Sequence, residues 1–97
     1  MDILQKQHGS KGSFYVQPGE EVLAEMTYSM TEDSLMIIEH TDVSDELSGK
    51  NVGYLLVNKA VDYAREHHIK ILPLCTFAKS VFDRKGEEFK DVLRGIN

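Results

Sequence analysis

The residues with the clearest chemical reach lie between Glu39 and Gly53 and at Cys75. The first stretch reads Glu-His-Thr-Asp-Val-Ser-Asp-Glu-Leu-Ser-Gly-Lys-Asn-Val-Gly, and Cys75 opens the triplet Cys75-Thr76-Phe77. A turn containing Gly49 and Gly53 precedes residues with helical spacing. At such a junction the first helical N–H groups have no intrahelical acceptor, and the helix dipole presents its positive end. An anion such as a pyrophosphate fits there, and glycine lets the backbone come close to it. Gly49-x-x-x-Gly53 is neither a phosphate loop ending in Gly-Lys-Ser/Thr nor a G-x-G-x-x-G fingerprint. On spacing alone, an ordinary strand-to-helix turn with Gly53 packed on a sheet is the simpler reading.

Two side chains could move protons or bonds. An unperturbed imidazole titrates near pH ~6.5, so His40 is a candidate general base. It also shares a strand face with Met36 and Ile38 in simple alternation, which suits a hydrogen-bonded structural histidine. Cys75 is a candidate nucleophile or proton donor, although a lone cysteine beside apolar residues is more often simply buried. Lys50 and Lys79 are candidate phosphate contacts or solvated surface. Asp42, Ser44 and Glu46 alternate like the start of a calcium loop, but Leu47 stands where that loop needs glycine. His67 and His68 are adjacent, which is poor ligand spacing on a helix, so no metal is expected. No Gly-x-Ser-x-Gly elbow occurs.

The elements that must position these residues read clearly in places. Residues 1–11 are polar, with Gly9-Ser10-Lys11-Gly12 in them, and are expected to fray. Ser13–Val16 is a short strand before a Pro18-Gly19 turn. Along the next strand Val22, Ala24, Met26, Tyr28 and Met30 alternate with polar positions, the period of a half-buried antiparallel strand. Leu35–Val43 is more continuously apolar at its start, as expected nearer a sheet centre. Ser44–Asn51 is a loop. Val52, Leu55, Leu56, Ala60, Tyr63 and Ala64 predict a helix over Val52–His68. Ile69–Leu74 predicts a short strand whose Pro73 places it at an edge, at a bulge or splayed from a neighbour. Phe77–Asp83 and Glu88–Arg94 predict short terminal helices. A strand–helix–strand crossover beside antiparallel hairpins implies an α+β arrangement with a mixed, mostly antiparallel sheet.

Size and composition bound the function. With 97 residues, 41% of them hydrophobic and 28% charged, the chain is expected to be one globular domain. No run approaches the ~20 apolar residues of a membrane span, and Met1–Lys6 lacks a signal-like layout, so a cytoplasmic address and no membrane partner are expected. One cysteine gives no internal disulfide. A net charge of −5 argues against broad nucleic-acid binding, yet a few amides and lysines can still hold a phosphate.

The segment from Ser48 to Gly53 resembles the acetyl-CoA pyrophosphate loop of the GNAT superfamily, written Arg/Gln-x-x-Gly-x-Gly/Ala after a strand. Ser48 falls at the Arg/Gln position, Asn51 at the first glycine and Gly53 at the second. More closely, His40-Thr41-x-Val43, Gly49-x-x-Val52-Gly53-x-x-Leu56 and Cys75-Thr76-Phe77 resemble the short, single-domain GNAT-like family, over about Phe14 to Val92. Ser48 lacks the long side chain usual there, and Asn51 replaces a glycine with the residue that best tolerates a left-handed backbone. The resemblance implies an acetyltransferase that moves acetyl from acetyl-CoA to an amine acceptor. It implies cofactor contacts at Thr41, Val43, Ser48, Gly49, Asn51, Val52, Gly53 and Phe77, and a functional place for Cys75. Beside these, Lys50 and Lys79 stay candidate phosphate contacts and His40 a candidate catalytic base on their own chemistry. Cys75 would then take the acetyl group or return a proton to the CoA thiolate. So short a chain leaves little for an acceptor pocket, which suits a large acceptor such as another protein's amine. It equally suits a non-catalytic CoA-binding or interaction module on the same fold. A redox-sensing thiol at Cys75 is the third alternative. No specific oligomer interface is legible.

Overall fold

The computed structural model describes residues 1–94. Four strands come first: β1 (Leu4–His8), β2 (Lys11–Val16), β3 (Ala24–Met30) and β4 (Leu35–Val43). A 3-10 turn (Asp45–Leu47) leads to α1 (Val52–His67), then β5 (Lys70–Pro73), α2 (Thr76–Arg84) and the four-residue α3 (Gly86–Phe89). The strands lie in the order β1-β2-β3-β4-β5, antiparallel throughout except for the parallel β4–β5 pair that α1 connects. This is the mixed, mostly antiparallel sheet that the order of elements predicts.

Helices cover one face. Met26, Tyr28, Met36, Ile38 and Ile71 of the sheet share a core with Leu56, Val57, Ala60, Val61 and Ala64 of α1 and with Ala78, Val81 and Phe82 of α2. The period of 3.6 placed α1 correctly, but Leu55 is only half-buried, and Val57 and Val61 carry the stripe instead. The opposite face bears Lys6, Glu25, Glu39, His40 and Asp42, which pair among themselves or with Lys11.

Two expectations are corrected. Residues 1–11 do not simply fray, because Leu4–His8 pairs in register with Lys11–Val16. Every residue of β1 is exposed, so no apolar pattern announces it. The anchor is tertiary: Gln5 Nε2 donates to the Tyr28 hydroxyl at 2.8 Å, and that hydroxyl donates to Gln7 Oε1 at 3.1 Å. Glu88–Arg94 is not a helix either. Beyond α3 the chain turns, and Ile71 N–H donates to Val92 O at 2.6 Å while Arg94 N–H donates to Ile71 O at 2.8 Å. The segment therefore covers the open edge of β5, where unpaired backbone groups would otherwise face water. Arg65 holds it there through a two-pronged bond to Asp91.

Gly12 shows how tightly the hairpin is fitted. A Cβ at Gly12 would stand 2.5 Å from the Tyr28 ring and 2.7 Å from the Lys6 carbonyl. Tyr28 is fully buried and Lys6 O belongs to the backbone, so neither can yield. Gly12→Val is expected to cost about 1–3 kcal/mol, as overpacked sites do. Urea unfolding followed by circular dichroism checks this, and an unchanged midpoint contradicts it.

Candidate active site

A bulge in β4 builds the site. Thr27 pairs with His40 but Tyr28 pairs with Ile38, so Glu39 is an extra residue that exchanges the two faces of the strand. Before it, Met36 and Ile38 point into the core; after it, Thr41 points inward, and His40 and Asp42 point out. Ser44 N–H donates to Leu23 O at 2.7 Å. In an antiparallel ladder that leaves the N–H and C=O of Thr41 and Val43 facing away from β3. On that side β5 ends at Pro73. The Leu74 and Cys75 amides both donate to Ile38 O, at 3.0 and 3.1 Å, and the chain departs into α2. Beyond Ile38, β4 therefore has no strand on its β5 side, and the sheet opens into a cleft there. Pro73 is the last residue of β5, which is also the edge strand of the sheet, so the edge and the splay among the three expected placements both hold.

The far end of the cleft is a cluster of free amides. Leu47, buried at 7% exposure, pins the loop, and Ser48 N–H closes the 3-10 turn on Asp45 O at 3.0 Å. Gly49 (φ 79°) and Asn51 (φ 60°) both take the left-handed region, so Asn51 holds the backbone shape a glycine would give. The first α1 bond runs from Leu55 N–H to Asn51 O, and no side chain caps the helix. Among the described residues the amides of Val52, Gly53 and Tyr54 thus have no acceptor and converge at the positive end of a 16-residue helix.

Cys75 is the N-cap of α2, beside Thr41 but not itself among the residues that line the cleft. Its Sγ lies 3.3 Å from Thr41 Oγ1. Burial alone would push this thiol up. The Thr41 hydroxyl, which can turn to donate, outweighs burial together with the amides of Ala78, Phe77 and Thr41, and the thiol stands below its ordinary value. Cys75 is half-buried, neither sealed in the core nor fully exposed.

Thr41, Val43, Ser48, Gly49, Asn51, Val52, Gly53 and Phe77, eight residues singled out in the sequence, line this one cleft of about 370 Å³, with Leu47 and Tyr54. Lys50 and Lys79 are exposed and do not line it. His40 does not share the face of Met36 and Ile38 as simple alternation suggested, because the bulge reverses it. The ring is 67% exposed on the bare face, 3.4 Å from Asp42 Oδ2, on the opposite side of β4 from Cys75. Gly53 packs on α2 and not on the sheet: a Cβ there would stand 2.5 Å from the tip of the Phe77 ring. Tyr54, Arg84 and Lys85 escaped the sequence reading. They line a smaller hollow of about 240 Å³ with Asn51 and Val81, next to the free amides. Only the packing of α2 on α1 brings them there. A third hollow, on the other side of Val43, carries Glu25 and Asp42, whose charge opposes an anion.

A mixed sheet opened between one parallel pair, with a cleft running from that opening to a helix N-terminus, is the architecture of acetyltransferases that use CoA thioesters. The chain belongs to the GCN5-related N-acetyltransferase family, whose model matches residues 13–92. A GCN5-like protein of Staphylococcus aureus, solved by NMR in solution, superposes with a TM-score of 0.71 at 36% identity, over 99% of this chain and 90% of its own. An IAA acetyltransferase from Bacillus cereus shares the fold at 17% identity and a TM-score of 0.59, over 77% of this chain and 53% of its own. No curated protein matches the chain. No helix among the described residues is long and apolar enough to cross a membrane.

Proposed function

We propose that the protein transfers an acetyl group from acetyl-CoA to a primary amine. The single observation that carries this reading is the pair of amide sets that face one cleft, one at the start of α1 and one on the edge of β4 turned away from β3. Those of Val52, Gly53 and Tyr54 suit a pyrophosphate, and those of Thr41 and Val43 suit the carbonyl-bearing arm that leads from it. The cleft fits the group chemically: polar main chain where charge would sit, and Val43 and Phe77, 38% and 37% exposed, where an apolar arm would lie.

Acetyl-CoA supplies an acetyl group activated as a thioester. The chain's own residues position and polarise. The Thr41 amide, turned into the opening by the bulge and shared with the Cys75 sulfur, is a fixed donor available when charge develops on a carbonyl oxygen. Cys75, beside it, is the reactive thiol, able to accept an acyl group or to return a proton to a departing thiolate. His40 lies on the other side of the free edge of β4, held by Asp42, and takes a proton from an amine arriving from the bare face.

Calorimetric titration with acetyl-CoA, and with free CoA alongside, tests the reading. Micromolar binding followed by CoA release with an amine is the expected result. Binding without turnover against any amine leaves a CoA-binding module on the same fold. No binding at millimolar ligand rejects both.

A further inference from the structure

The hollow formed by Tyr54, Arg84 and Lys85 adjoins the free amides yet plays no part in holding a thioester. It shares Asn51 and Tyr54 with the main cleft, so a ligand lying on the amides of Val52 to Tyr54 passes directly into it. Its charged lining is two adjacent cations in a chain of net charge −5. Arg84 makes no ion pair among the described residues, and the nearest carboxylate to Lys85 Nζ is that of Glu88, at 4.0 Å. Lys85 Nζ instead sits 5.3 Å over the Tyr54 ring, which holds it beside the first turn of α1. Asp83 and Glu87 are the other charged groups near, and they border Arg84 and Lys85 in a separate shallow hollow beyond them. Glu88 also borders that hollow, so the carboxylates gather on the far side of the two cations. The side toward the amide cluster carries only Arg84 and Lys85, which suits one more anionic group on the same ligand.

We infer that Arg84 and Lys85 form a subsite for a phosphomonoester carried by the nucleotide end of the ligand, the 3′-phosphate that distinguishes CoA from dephospho-CoA. This rests on the acetyl-CoA reading above and deepens it. A guanidinium takes a phosphate through two parallel bonds, and an ammonium adds a point charge, so the pair selects a dianion over a free ribose hydroxyl. Lys50 and Lys79 are the lysines the sequence offers for phosphate, but neither lines a hollow that meets the free amides.

The test compares CoA with dephospho-CoA by calorimetry on the full chain. The wild type is expected to bind CoA about tenfold or more the tighter, as charge-assisted bonds to one phosphate allow, with the ratio shrinking as salt is raised. Arg84→Gln with Lys85→Gln should weaken CoA to the level of dephospho-CoA and leave dephospho-CoA almost unchanged. Lys59→Gln, an exposed change on α1 that lines none of the hollows described, removes one positive charge elsewhere and should keep the ratio, whereas Arg84→Gln alone and Lys85→Gln alone should not. A double variant that keeps the wild-type ratio overturns the subsite, as does a wild type that binds the two ligands equally. Failure of both ligands to bind the wild type removes the acetyl-CoA reading itself, and the subsite with it.

Discussion

Cys75→Ala is expected to lower turnover with acetyl-CoA and an amine by about a hundredfold or more, the usual contribution of a positioned acid or nucleophile. Affinity for acetyl-CoA should change little, because the amides that carry the anion lie at the other end of the cleft. The separation is the informative part: a cysteine that merely filled space would alter folding or binding, not the chemical step alone. Rapid quench with labelled acetyl-CoA then sorts the two roles. If the Cys75 sulfur displaces CoA and carries the acetyl group, label accumulates on the protein before amine is added. If Cys75 only returns a proton to the thiolate, no label is trapped and the serine variant retains part of the rate. Turnover within threefold of wild type in Cys75→Ala would take the thiol out of the reaction altogether.

The thiol's titration supplies a check that needs no acceptor. Burial raises it, but the Thr41 hydroxyl and the amides of α2's first turn and of Thr41 lower it further, so the folded value lies below the ordinary one. Alkylation by iodoacetamide should therefore reach half its maximum rate below the midpoint of a free thiol, and Thr41→Val should move that midpoint up. The sign for stability follows from the same shift. A group depressed in the fold stabilises it fully above the unfolded value, and that contribution fades as pH falls through the folded value. The stability gap between wild type and Cys75→Ala should widen as pH rises across this window. An alkylation midpoint at or above that of a free thiol would show that burial wins.

Gly53→Asp is the second change with a large expected effect, a loss of about a hundredfold in acetyl-CoA affinity, the scale that displacement of positioning groups can reach. Two causes act together. The carboxylate brings negative charge to the turn that would hold a pyrophosphate. The new Cβ also takes the space of the Phe77 ring, whose tip lies 2.5 Å away and which is 37% exposed. Gly53→Ala separates the causes. In a helix interior alanine gains up to about 1 kcal/mol over glycine, and the far end of a part-exposed ring can swing aside, so stability should barely move. Affinity should nonetheless fall, and Gly53→Ala with Phe77→Leu should recover much of it, a coupling that a double-mutant cycle measures. Wild-type affinity in a folded Gly53→Asp protein would remove this turn from the site.

The main elements were legible wherever one period dominates. The alternation through β3, the apolar start of β4 and the stripe of α1 each bury a face against one core, and burial of that kind leaves a pattern in sequence. Asn51 was readable as a glycine substitute, because few other residues accept its backbone conformation. β1 was not legible: all its side chains are exposed, and its anchor, Tyr28, lies more than twenty positions away. The C-terminal segment misled for a similar reason, since its backbone bonds go to β5 and not to itself.

The site divides along the same line. Sequence by itself determined the turn into α1, the residues that line the cleft there, and the thiol that follows β5, because these are consecutive or tied to a local conformation. Only the tertiary structure decided which face each residue of β4 presents. One extra residue at Glu39 sends His40 outward and Thr41 toward Cys75, and a bulge leaves no mark in a pattern of period two. The structure likewise decided that Gly53 makes room for Phe77, and that Arg84 and Lys85 stand beside the free amides. Those are contacts between α1 and α2, distant in sequence and set by how two helices pack on one sheet.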